Sequence, residues 1–182
     1  PNTHKRMGHE NLKQEWTDCF NTLKLIPVIP QLLFAAIIGY LMMGPMQVIL
    51  PQVAEQQLGL NTIEKGQYLG LIALSLILGG VAAMKLTALI PIGKSILVML
   101  FICGLSMGLI GFIETVWLSC LVLMIGTTFA GIVVSFIVAS LQHYTPVEIR
   151  GRVMSIYTIM SQVISAMAGV LAGAVAQGIS VP

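Results

Sequence analysis

The sequence is short of charge. Of its 182 residues only 9% are Asp, Glu, Lys or Arg, whereas a soluble domain carries about a quarter. Too few charged side chains are present to cover a water-soluble globule. The net charge of +2 points to neither a nucleic-acid partner nor an acidic substrate. Cysteine is nearly as scarce: Cys19, Cys103 and Cys120 form no CxxC pair, lie near no His at ligand spacing and are odd in number. That excludes a disulfide framework, and neither a metal nor a cofactor is expected. Cys103 and Cys120 sit in apolar runs, where Cys behaves as a small hydrophobe. No paired acids and no Ser–His arrangement suggest an enzyme.

What is present is apolar. Hydrophobic residues make up 57% of the chain, and the mean hydropathy is +0.93. A transmembrane helix needs about 20 apolar residues to cross roughly 30 Å of hydrocarbon. Five runs meet that length, at about residues 30–52, 66–84, 92–113, 117–141 and 154–176. They predict an all-α integral membrane fold of five transmembrane helices over residues 27–182, preceded by a polar segment, 1–26.

The breaks carry local signals. Asn61 followed by Glu64 has the capping-box pattern and predicts a helix start near Thr62, with Gly59 as a left-handed cap upstream. Thr145-Pro146-Val147-Glu148 repeats that pattern with Pro at the first helical position. Pro91-Ile92-Gly93 marks a turn. In the polar segment, Leu12, Trp16, Phe20 and Leu23 follow helical spacing, which fits an amphipathic helix lying on the membrane or packed against a larger protein.

Charge placement orients the chain. With residues 1–26 cytoplasmic, eight of the nine basic residues (Lys5, Arg6, Lys13, Lys24, Lys85, Lys94, Arg150 and Arg152) fall inside and only Lys65 falls outside. The positive-inside rule selects this orientation.

The string Gln142-His143-Tyr144-Thr145-Pro146-Val147-Glu148-Ile149-Arg150-Gly151-Arg152-Val153-Met154-Ser155 resembles the loop between helices 10 and 11 of major facilitator superfamily transporters. The branch it is most similar to holds drug and siderophore exporters related to the enterobactin exporter. Leu50-Pro51, Leu58-Gly59 and Gly66 resemble that branch's passage from helix 7 to helix 8. The sequence departs from the family after helix 8, where Met84 stands in place of an acid. The resemblance implies that the five spans are helices 7–11, with the N-terminal half and helix 12 absent from this sequence. Residues 1–26 would end the central cytoplasmic loop.

The resemblance further implies efflux of small apolar or amphipathic solutes by alternating access in a bacterial inner membrane. The implied partners are the missing N-terminal half, a small-molecule substrate and the lipid bilayer. A proton is the implied coupling ion, titrating outside this chain, because Glu55, Glu64 and Glu114 all lie at the outer margin. A self-contained five-helix scaffold or assembly protein without transport activity is the rival expectation.

Helices 7, 8, 10 and 11 line the cavity in that family while helix 9 stands outside. The substrate-cavity candidates are therefore Tyr40, Gln47, Tyr157 and Gln162, with Phe34, Met43 and Phe129 as apolar wall. Gly44-Pro45 interrupts the first span, where a kink is expected. Arg150 and Arg152 are read as a cytoplasmic anchor beside lipid headgroups, or as gate residues pairing with an acid such as Glu148. Ser161, Ser165, Gly169 and Gly173 form a stripe of small residues that lets helices approach closely, as a static contact or a sliding seam.

Overall fold

The computed structural model describes residues 26–86 and 92–179, with side chains for 26–86 and 93–175. The amphipathic segment 11–26 lies outside these residues except at its end, as does most of the turn around Pro91. Five helices are long and apolar enough to cross a membrane, and no strand occurs among the described residues. They are α1, Val28–Gln52; α2, Thr62–Leu86; α3, Ile92–Ile110; α4, Val116–Tyr144; and α5, Val147–Ile179. A π-helical turn, Val53–Gln57, prolongs α1 beyond Pro51.

Local chemistry accounts for the helix ends. Asn61 Oδ1 accepts from the backbone N–H groups of Ile63 and Glu64, and Glu64 Oε2 accepts from Asn61 N. This reciprocal box satisfies donors that the first turn of α2 cannot pair internally. Gly59, just before it, holds φ +64, a conformation glycine adopts without steric cost. The matching pattern at Thr145 does not form a box. Thr145 is buried at the joint of two helices: its N–H closes α4 on Leu141 O, its carbonyl accepts from Arg150 Nη2, and its Oγ1 has no partner. The first turn of α5 closes instead through Ile149 N donating to Pro146 O.

Packing arranges the helices around α4. Half of its most apolar stretch is buried, 50%, against 11% for α5. The most extensive contacts pair α2 with α4, α1 with α5, and α3 with α4. The first two pairs join helices that run in the same direction across the membrane. Helix α5 makes little contact with α4, although it follows it directly. Large side chains such as Phe101, Phe112, Trp117 and Val170 are exposed, which suits helices solvated by lipid or by further protein.

Small residues set the close approaches. A Cβ at Gly79 would run into the Thr128 carbonyl, and one at Gly131 into the Leu76 carbonyl, so α2 and α4 touch backbone to backbone. A Cβ at Gly44 would strike Ser165 O and the Ala168 side chain. Lipid offers no hydrophobic drive for helix association, so van der Waals contact at such seams holds the pairs together.

One end of the bundle gathers Ile29, Leu32, Leu141 and Val153 with Ile26, Leu86 and Ile149. The other gathers Leu50, Ala54, Tyr68, Ile110 and Leu123. Among the described basic residues, Lys85, Lys94, Arg150 and Arg152 belong to the first end and Lys65 to the second. Lys65 forms an exposed 2.7 Å ion pair there with Glu55.

Candidate functional site

Two cavities open beside α1, between the α1–α5 pair and the α2–α4 pair. The first is lined by Ala36, Tyr40, Met43, Val133, Ile137 and Tyr157, among others. The second, about 300 Å³, lies nearer the end that holds Leu50 and is walled by Met43, Met46, Gln47, Pro51, Ile72 and Thr127, among others. The walls share Met42, Met43, Cys103 and Ala130. Helices α1 and α4 contribute most of the lining, because α4 is central and α1 bridges both pairs.

The polar groups in these walls are few, and most are already committed. Tyr40 and Tyr157 share a 2.6 Å hydroxyl bond, their rings meeting edge to face with centroids 5.9 Å apart. Each hydroxyl thereby finds a partner in hydrocarbon, where an unpaired one would be costly. Thr127 Oγ1 donates to Leu123 O of its own helix at 2.7 Å. Gln47 is exposed on α1 and lines the second cavity, and its amide has no hydrogen-bond partner among the described residues. No Asp, Glu, Lys, Arg or His lines either cavity. The site therefore suits a neutral, mainly apolar molecule with one hydrogen-bonding group.

The family model for the Major Facilitator Superfamily matches residues 1–170. The chain belongs to the Major Facilitator Superfamily. No curated protein and no solved structure matches it. The chain is thus a multi-pass membrane protein of a superfamily of small-molecule transporters, not of enzymes.

Of the residues selected from sequence, the superfamily chain brings Tyr40, Met43, Gln47 and Tyr157 to the cavity walls. Phe34 lines a separate crevice toward the opposite end, with Gln31, Ile96 and Ser140. Phe129 borders a shallow groove with Lys94 and Met99. Gln162 is exposed on α5, away from these cavities. Gly44 is buried at the α1–α5 seam, and α1 continues through Pro45 to Gln52. Ser165, Gly169 and Gly173 meet α1 at Gly44 and Val48, while Ser161 donates to Thr158 O in its own turn. Glu148 is exposed on the first turn of α5. Arg150 reaches back to Thr145 O at 3.3 Å, tying the α4–α5 joint; Arg152 lies half-buried one turn into α5.

Three contributors escaped sequence reasoning. Tyr68 and Ser119 share a buried 2.7 Å hydroxyl bond between α2 and α4, the counterpart of the Tyr40–Tyr157 bond. Gln57 Nε2 donates to Ile113 O at 3.0 Å, which ties the π-helical turn after α1 to the loop between α3 and α4. The methionines along α1 and α3 were the signal available for the third, the chemistry of the cavity wall.

Proposed function

We propose that this chain supplies one half of the substrate path of a secondary transporter that exports small apolar or amphipathic solutes by alternating access. The observation that carries the reading is the pair of cavities beside α1, apolar apart from the Gln47 amide and self-satisfied hydroxyls. Ions and sugars need many uncommitted polar or charged partners, and these walls offer too few. The superfamily match supports transport over a scaffold role. The proposed setting is a bacterial inner membrane with Lys85, Lys94, Arg150 and Arg152 inside. A second six-helix half completes the path and carries the titrating acid if protons drive it.

Efflux of fluorescent apolar and amphipathic dyes from cells expressing the transporter tests this. Gln47→Ala should raise dye accumulation and change the ranking of substrates, because it removes the one uncommitted polar group. Unaltered accumulation and an unaltered substrate range in both Gln47→Ala and Tyr157→Phe would reject the assignment.

A further inference from the structure

The crevice beside Phe34, about 370 Å³, lies between α1, α3 and the last turn of α4 and shares no wall residue with the two solute cavities. Helix ends give it a polar mouth. Helix α1 begins at Val28, α3 at Ile92, and α4 stops at Tyr144, all at the end of the bundle that holds Lys94. Gln31 lies one turn into α1 and Ser140 one turn before α4 ends, so both belong to that mouth with Tyr144. The rest of the wall is apolar and reaches Ile38, ten residues and so about 15 Å from the start of α1. Phe34 and Leu97, on opposite helices, are both exposed, which leaves the crevice open at the side of the bundle.

The polar groups of the mouth are uncommitted. Ser75, Ser106 and Thr127 each donate to the carbonyl four residues back in their own helix. Ser140 does not: it is 2% exposed, and its hydroxyl has no partner, an arrangement that costs free energy until an acceptor arrives. Gln31 and Tyr144 are exposed there and hydrogen-bond none of the described residues. All three side chains carry donors, an amide N–H and two hydroxyls. A further helix would cover the apolar wall but leave those donors unmet, because its own carbonyls are bonded within it. An ester carbonyl on an acyl chain satisfies both parts of the surface: it accepts, cannot donate, and lies where headgroup meets hydrocarbon. We propose that this crevice holds one phospholipid of the adjoining leaflet. An acyl chain lies along α1 toward Ile38, and the ester carbonyls accept from Gln31 and Tyr144, with Ser140 as the third donor.

The test counts phospholipid by native mass spectrometry on the full chain, purified in mild detergent and washed free of loosely held lipid. One molecule should remain on the parent. Gly93 lines the crevice, and a Cβ there would meet nothing within 4 Å. Gly93→Phe therefore puts a ring into the mouth without a clash and should displace the lipid. Gly66→Phe, which also enters open space but at the start of α2, should retain it. A hydrogen bond within a membrane is worth roughly three-fold in affinity, so Gln31→Leu combined with Tyr144→Phe should weaken rebinding of added phospholipid about eight-fold. Benzoylphenylalanine in place of Phe34, photolysed in the washed protein, identifies the occupant and should give an adduct of phospholipid mass. A peptide adduct there would mean that another helix or a second copy fills the crevice, and would overturn the proposal. So would the absence of retained lipid, full retention in Gly93→Phe, equal loss in Gly66→Phe, or unchanged rebinding in the double variant.

Discussion

At Gly79 and Gly131 the α2 and α4 backbones lie so close that a methyl group would meet a carbonyl oxygen, whereas Gly66 and Gly70 on the same α2 face open space. Gly79→Val and Gly131→Val should therefore destabilise the bundle by about 1–3 kcal/mol, the usual cost of overpacking. Gly66→Ala and Gly70→Ala should change the midpoint of detergent unfolding little. A contrast of this kind separates seam glycines from incidental ones. Tyr157→Phe removes one partner of the Tyr40 bond and should cost about 1 kcal/mol, the scale of interhelical hydrogen bonds in membranes. The same unfolding series would measure it. Sequence showed Ser165, Gly169 and Gly173 as a stripe because their spacing is one helical turn. It gave no sign that Gly44 was their partner, since a glycine beside Pro45 reads first as an interruption. Thr145 misled for a related reason. Its local pattern equals that of Asn61, but its carbonyl and N–H are already engaged in joining two helices.

Among the elements, hydropathy delivered the five spans because lipid demands long uninterrupted apolar runs, and few other constraints are so local. The start of α2 was equally legible, since a capping box is written within four residues. Asn61→Ala should lower stability by about 1 kcal/mol through loss of that cap, read as an earlier thermal transition. The π-helical turn at Val53–Gln57 left no readable signature. Within it Gln57 reaches across to Ile113 O, a contact between segments far apart in the chain. Gln57→Ala should loosen this turn, and hydrogen exchange across residues 53–60 should accelerate without a matching change in α4.

For the molecule as a whole, charge carries the expected orientation and packing sets the pairing, but only charge is visible in one dimension. Single-cysteine variants in a cysteine-free background test the orientation. An impermeant maleimide should label Glu114→Cys on intact cells and should reach Glu148→Cys only after permeabilisation. Reversed labelling would invert the topology. Which helices pair was not legible, because Tyr40 meets Tyr157 and Tyr68 meets Ser119 across long stretches of sequence. The candidate site followed suit. Tyr40, Met43 and Gln47 lie in the cavity walls because α1 borders both cavities, while Phe34 on the same helix lines a separate crevice, and Gln162, selected for its polarity and its helix, is exposed on α5.

The pairing of α1 with α5 also has a consequence in time. Helix α1 leaves the ribosome first and α5 last of the five, yet Gly44 packs on Ser165 and Ala168. Three helices must enter the bilayer while that face of α1 waits against lipid or an insertion chaperone. The α2–α4 contact closes sooner, so a nascent chain stalled before α5 should already hold it, with Tyr68 bonded to Ser119. The wall of the cavity that includes Tyr157 is thus added only after the other four helices have been made, and no solute could be gripped there before α5 emerges.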